Sequence, residues 1–177
     1  MRIHMFSAAA TALFMLASGI ACADSGGGGG SNSQQQTCPG GYVYDSRSGR
    51  CVRQQAGILP DDALADDAYA LIKAGRYSDA IGVLDLLKNP NSAVALNYRG
   101  YATRKLGRVD EGIGYYLKSV ALDPHYAQVR EYLGEAYLVK GDAASARAQL
   151  RAIKDICGTT CESYEHLAIA IADPADL

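Results

Sequence analysis

The pattern of hydrophobic and polar residues changes three times along this chain. Residues 8–20 form an apolar run, and residues 24–36 are mainly glycine, serine, asparagine and glutamine. Tyr42, Val43 and Tyr44 favour a β-strand, and the turn-forming residues that follow them favour a hairpin. From Pro60 onward the apolar residues recur with the 3.6-residue period of an amphipathic helix. The pattern therefore predicts an apolar leader, a coil, a small hairpin and a helical region.

The first 23 residues match the three parts of a secretory signal peptide. Arg2 supplies the positive charge, the apolar run is shorter than the roughly 20 residues that span a bilayer, and Ala21 and Ala23 suit a cleavage site. Residues 19–22 also resemble a lipobox, in which Cys22 would carry a lipid. We expect an exported protein, periplasmic or extracellular. The alternative is a lipid-anchored lipoprotein, and membrane attachment is expected only if Cys22 is lipidated.

Four of the five cysteines remain after Cys22 is removed or lipidated. They allow three connectivities, and short loops favour Cys38–Cys51 and Cys157–Cys161. An oxidising compartment favours disulfides over metal ligands. Residues 24–36 are predicted to form a flexible linker, and residues 37–54 a disulfide-closed hairpin. Because residues 55–60 separate the hairpin from the helices, we expect loss of the Cys38–Cys51 bond to unfold the hairpin and to leave the helical signal of residues 61–177.

The helical region contains an internal repeat. Gly107 and Gly141 lie 34 residues apart, and aligning them superimposes Ala93 on Ala127 and Gly100 on Gly134. A less regular third copy has its equivalent glycine at Gly75.

This pattern resembles the tetratricopeptide repeat. The family asks for small residues at repeat positions eight and twenty, and for proline at position thirty-two, where Pro124 stands. The small positions are Ala68, Gly100 and Gly134 at position eight, and Ala80, Gly112 and Ala146 at position twenty.

The resemblance implies an all-α superhelix of three helix-turn-helix repeats, at residues 61–92, 93–126 and 127–158. Residues 159–177 are expected to form a capping helix and tail, because the end of a stacked array exposes an apolar face. Its apolar stripe is expected to comprise Leu167, Ala168, Ile171 and Ala172.

Net charge and aromatic content add two expectations, one about the partner and one about the helical core. The net charge is −2, which disfavours a nucleic-acid partner, since phosphate binding needs a clustered basic surface. The chain has 12 Tyr, no Trp and only 2 Phe, Phe6 and Phe14 in the leader. The helical core must therefore be built from leucine, isoleucine, valine, alanine and tyrosine.

The resemblance also implies a binding surface, because the first helix of each repeat lines a concave face in this family. We expect Tyr101 and Arg104, on the middle repeat, to point away from the core and to anchor a ligand. Glu131 and Glu135 make the C-terminal end acidic, so a peptide with acidic and basic segments would suit the face. The predicted binding residues are Tyr69, Lys73, Asn97, Tyr101, Arg104, Lys105, Glu131, Glu135 and Leu138.

The sequence thus favours an exported adaptor that binds a protein or peptide in the cell envelope. It has no nucleophile elbow, phosphate loop or zinc-protease motif, and we expect neither enzymatic activity nor a cofactor or metal. His166 is expected to be an exposed helix residue. One alternative is a thiol-disulfide redox protein that uses Cys157 and Cys161. Another is an envelope polysaccharide binder that stacks sugars on Tyr42 and Tyr44.

Overall fold

A computed structural model describes residues 37–45, 48–54 and 59–174. The expected signal peptide, the linker and Cys22 lie outside these residues. The described elements are β1 (Tyr42–Asp45), β2 (Arg50–Arg53), α1 (Asp61–Lys73), α2 (Tyr77–Leu84), α3 (Ala93–Lys105), α4 (Val109–Leu122), α5 (Ala127–Val139), α6 (Ala143–Cys157) and α7 (Glu162–Ala172). The fold class expected from the sequence is confirmed: an antiparallel hairpin precedes three helical pairs and a capping helix.

A glycine ends the first helix of each pair. Gly75, Gly107 and Gly141 have φ angles of 72°, 84° and 77°, a region that side chains with a Cβ rarely enter. In each case the next residue's N–H bonds to the carbonyl five residues earlier, as Arg76 does to Leu71 at 2.9 Å. This arrangement satisfies carbonyls that the helix end would leave unpaired. The repeated glycine is therefore a repeated helix stop.

The helices form two layers. The inner layer comprises α1, α3 and α5, and short turns reverse the chain so that these helices run parallel. In the outer layer, α2 packs against α1 and α3, and α4 packs against α3 and α5. Helix α6 packs against α5 and α7, so that α7 takes the place of a fourth inner helix. None of the described helices is long and apolar enough to cross a membrane.

Small residues let the two layers approach closely. A Cβ atom built on Gly112 would lie 2.9 Å from the Gly100 carbonyl oxygen, and one built on Gly100 would lie 2.7 Å from the Tyr116 ring. Ala68 and Ala80 are fully buried at the same repeat positions of the first pair. Gly134 differs from Gly100 in its nearest neighbour. A Cβ atom built on Gly134 would meet the Leu167 side chain on α7 first, so this glycine admits the capping helix.

The hairpin packs against the helices instead of folding apart from them. Val43 is 2% exposed and belongs to the apolar cluster that contains Leu64 and Leu71. The Tyr44 N–H donates to Asp67 Oδ1 at 3.3 Å, and the Arg76 guanidinium donates to the Cys38 carbonyl. The hairpin therefore covers the apolar N-terminal end of the helical array, and the persistence of the helices after loss of the Cys38–Cys51 bond stays a prediction.

Helix α7 covers the opposite end. Gly158, with φ 84°, ends α6, and a disulfide joins Cys157 to Cys161 across the turn. The stripe that α7 buries contains Ser163, Leu167 and Ala170, while Ala172 is exposed. The expected stripe is thus wrong at Ala172, because α7 faces α5 through residues shifted around the helix.

Candidate functional site

The inner helices contact one another through a regular set of side-chain pairs. Asn97 reaches Gln128 at 3.4 Å, Tyr101 meets Tyr132 with ring centroids 4.8 Å apart, and Arg104 meets Glu135 at 2.6 Å. Each pair joins α3 to α5 across the same separation of 31 residues. This constant offset requires α3 and α5 to be parallel and in fixed register. On the concave face, each of these α3 positions therefore lies beside the position three earlier in the following repeat.

Five half-buried tyrosines lie across this face. We name them the tyrosine ladder: Tyr69, Tyr98, Tyr101, Tyr126 and Tyr132. Tyr69 stacks on Tyr98 with centroids 5.4 Å apart, and Tyr101 packs edge-on against Tyr132. The Tyr126 hydroxyl bonds to Asn97 and Gln128, which joins the third repeat to the second.

Burial raises the pKa of four of the ladder hydroxyls. It raises the pKa of Tyr98 to about 12, with smaller contributions from Tyr126 and Tyr69. Burial also raises the pKa of Tyr101, Tyr126 and Tyr132. The ladder thus offers neutral aromatic surface together with hydroxyl donors and acceptors. Such a surface can pack against apolar side chains and bond to the backbone of a peptide.

Arg104 does not point away from the core, so that expectation is wrong. Its side chain is only 3% exposed and its guanidinium bonds to Glu135, which is 17% exposed. The guanidinium carbon also lies 5.2 Å from the Tyr101 ring centroid. A buried arginine is stable here because the carboxylate and the aromatic ring replace water. Arg104 consequently holds α3 to α5. The charges of Arg104 and Glu135, which we expected to contact a ligand, pair with each other instead.

Asn97 is also buried, with no exposed surface. Its Nδ2 donates to the Tyr126 hydroxyl at 3.0 Å, while its Oδ1 has no partner among the described residues. The side chain that we assigned to ligand contact therefore positions Tyr126 within the ladder.

Helix α7 contributes to the acidic end of the face. His166 Nδ1 lies 3.0 Å from Glu131 Oε1, and Glu131 is 5% exposed. Burial raises the pKa of Glu131, although bonds from Ser163 and His166 oppose the shift. His166 is half-exposed and has a specific partner, which the sequence did not indicate. Glu131 is thus enclosed between α5 and α7.

The other predicted residues remain more accessible. Lys73 and Lys105 are exposed at the C-terminal ends of α1 and α3, and Leu138 is half-buried on α5. Tyr69 and Tyr101 are half-buried in the ladder. The structure therefore places the nine residues on the three inner helices, and their role in binding stays a prediction.

Sequence reasoning missed three ladder members, Tyr98, Tyr126 and Tyr132. A signal for two of them was present, because Tyr98 and Tyr132 are separated by the same 34 residues as the repeat glycines. They occupy repeat position six, one turn before the site that we assigned to Tyr101.

The cysteines are all paired in this part of the chain. Disulfides join Cys38 to Cys51 and Cys157 to Cys161, in the connectivity that short loops favour. Within residues 37–45, 48–54 and 59–174, no group of three or more His, Cys, Asp or Glu side chains could hold a metal ion.

Two kinds of solved structure resemble this fold. YrrB, described as a TPR protein with an unusual peptide-binding site, has a TM-score of 0.54 and is 21% identical, covering 64% of this chain and 59% of its own. The Yersinia enterocolitica secretion chaperone SycD, in complex with a peptide of the translocator YopD, has a TM-score of 0.54 and is 20% identical. That match covers 66% of this chain and 91% of SycD. These likenesses show the fold.

Curated relatives share a shorter segment. Anaphase-promoting complex subunit 7 of Homo sapiens and that of Mus musculus are each 30% identical over 102 residues, or 56% of this chain. The chain spans 18% of the length of these proteins. A sequence model described as Tetratricopeptide repeat matches residues 65–127 and residues 99–159, which together cover more than half of the chain. With its glycine-ended helix pairs and parallel inner helices, the chain belongs to the tetratricopeptide repeat family.

Proposed function

We propose that this protein is an adaptor that binds a peptide segment of a partner protein on its concave face, in the cell envelope. The observation that carries the binding role is the tyrosine ladder, which presents neutral aromatic surface across three parallel helices. Aromatic side chains contribute much of the energy of protein interfaces. Proteins of this fold include one with a peptide-binding site and one bound to a translocator peptide.

The envelope location rests on two features. The first is the signal-peptide pattern of residues 1–23. The second is the pair of disulfides, which persist in oxidising compartments. N-terminal analysis of the exported protein should find a chain that starts near Asp24 or at a lipidated Cys22. An exported protein with an intact Met1 would contradict the proposed leader.

Site-specific photocrosslinking tests the binding role. A benzoyl-phenylalanine replaces Tyr69, on the concave face, in cells that export the protein. The matched control replaces Tyr115, which is half-buried like Tyr69 but lies on the outer helix α4, where it packs against Arg99 and Lys118. We expect a discrete partner to crosslink at Tyr69 and not at Tyr115. Crosslinking at Tyr115 alone would place the binding surface on the outer layer.

A further inference from the structure

The last residues of the three inner helices form a row of exposed side chains, two of them basic and one apolar. We name Lys73, Lys105 and Val139 the C-terminal row, because they end α1, α3 and α5 at the same repeat position. All three are exposed, Val139 by 46%. Since the inner helices are parallel, the row follows one edge of the concave face. It presents two cations and then an apolar side chain.

The two lysines carry charge that no carboxylate in the described part of the chain neutralises. Neither amino group has a carboxylate partner among the described residues, and Lys105 Nζ lies 5.8 Å from the Tyr101 ring centroid. The cations in the adjoining turns differ, because each has an acid. Arg76 pairs with Asp79, Arg108 with Glu111, and Lys140 with Asp110.

The acids of the concave face do not cancel this charge. Arg104 pairs with Glu135, and His166 pairs with Glu131. Asp62 and Asp66 are exposed, but Asp66 precedes Lys73 by seven residues, or about 10 Å along the helix. The row is therefore the basic edge of the face, and acidic side chains complement it.

The spacing of the row matches an extended ligand. Packed helix axes lie about 8–10 Å apart, so neighbouring members of the row are separated by roughly 10 Å. A polyproline II segment rises about 3.1 Å per residue and repeats every three residues, so its side chains at i and i+3 lie about 9 Å apart on one side. Every third side chain of such a peptide can thus contact one member of the row.

We infer that the C-terminal row binds an extended acidic peptide in which two acidic residues and one apolar residue recur at every third position. The acids pair with Lys73 and Lys105, and the apolar side chain packs on Val139. The peptide backbone then runs beside Tyr101 and the rest of the ladder. This inference rests on the proposed function and specifies the chemistry of the partner.

Fluorescence anisotropy with the full, disulfide-bonded chain tests the inference. The probes are the dye-labelled peptide Glu-Pro-Ala-Glu-Pro-Ala-Leu and its reversed sequence, because a groove can take either chain direction. A peptide with Lys in place of both Glu is the control ligand. We expect one acidic probe to bind at submillimolar concentration and the Lys peptide to bind at least about tenfold more weakly.

Charge-reversal variants localise the binding. Lys73→Glu with Lys105→Glu should weaken the acidic probe at least about tenfold. Lys118→Glu with Lys154→Glu changes the net charge equally at exposed residues of α4 and α6 and should leave affinity within about twofold. Lys73→Gln with Lys105→Gln serves as a second variant if charge reversal disturbs the fold. Raising NaCl from about 0.01 M to about 1 M, which shortens the Debye length from about 30 Å to about 3 Å, should also weaken binding.

Three results would overturn the inference: no binding of either acidic probe, equal binding of the Lys peptide, or equal affinity in the groove and control variants. The proposed function has a separate readout. If Tyr69 still crosslinks a partner while the acidic probes fail, the concave face binds a peptide of other chemistry.

Discussion

Gly134 tests the packing of α7 against the inner layer. A Cβ atom at this position would lie 2.6 Å and 2.7 Å from the two δ-carbons of Leu167. Carbon atoms in contact normally stay about 3.5–4.0 Å apart, so the added methyl would be about 1 Å too close. Leu167 is fully buried, so its side chain has little room to move aside. Gly134→Ala should therefore displace α7.

The magnitude follows from two opposing effects. Overpacking a buried site costs about 1–3 kcal/mol, while alanine is favoured over glycine within a helix by about 1 kcal/mol. Gly134→Ala should thus destabilise by about 1 kcal/mol, and Gly134→Leu by more than about 2 kcal/mol. Gly114 is the matched control, because it lies within α4 and no atom would approach its Cβ within 4 Å. Gly114→Ala should stabilise by about 0.5–1 kcal/mol.

Urea denaturation followed by helical circular dichroism measures these differences. The contact with Leu167 can be isolated by repeating Gly134→Ala in a Leu167→Ala background, where the methyl should no longer destabilise. A coupling energy of about 1–3 kcal/mol is expected for residues in direct contact. If Gly134→Ala stabilises the protein as much as Gly114→Ala does, the placement of α7 against α5 is wrong.

Three further predictions concern stability. Val43→Ala should destabilise by about 2 kcal/mol and increase hydrogen exchange in α1, because Val43 lies in the apolar cluster with Leu64; Tyr42→Ala, at an exposed residue, should not. Arg104→Ala should cost about 3 kcal/mol in urea denaturation, since Glu135 loses its buried partner, whereas Arg108→Ala breaks an exposed pair and should cost less than about 1 kcal/mol. Burial raises the pKa of Asp67 above its ordinary value of 3.8, against the opposing effects of the Tyr44 N–H and Arg76. The folded state therefore binds its proton more tightly than the unfolded state does, and this contribution to stability is lost as pH rises through the raised pKa. Asp67→Asn removes the contribution, so the stability of wild type relative to this variant should fall as the pH rises above about 4; a constant difference would contradict the raised pKa.

The repeats could be predicted from sequence because their signals are local. The repeated glycines each end a helix: Gly75, Gly107 and Gly141. Short loops indicate the cysteine pairs. These features depend on backbone conformation and chain separation, which a sequence displays directly.

The environment of individual side chains could not be predicted in the same way. Arg104 occupies a repeat position that faces a ligand in the family, yet it is buried because Glu135 lies one helix away at the matching offset. The docking of the hairpin depends largely on Val43 and on the buried carboxylate of Asp67. Contacts between distant segments like these depend on how the helices and the hairpin pack, which the hydrophobic pattern of the sequence does not display.

The most direct test of the central claim is a nuclear magnetic resonance titration with the partner segment identified by crosslinking at Tyr69. Adding that peptide to the ¹⁵N-labelled chain should shift the amide resonances of α1, α3 and α5 around the tyrosine ladder, including Tyr98, Tyr101 and Tyr132. The amides of the outer helices α2 and α4 should change much less. Shifts confined to the outer helices or to the hairpin around Tyr42 would contradict binding on the concave face.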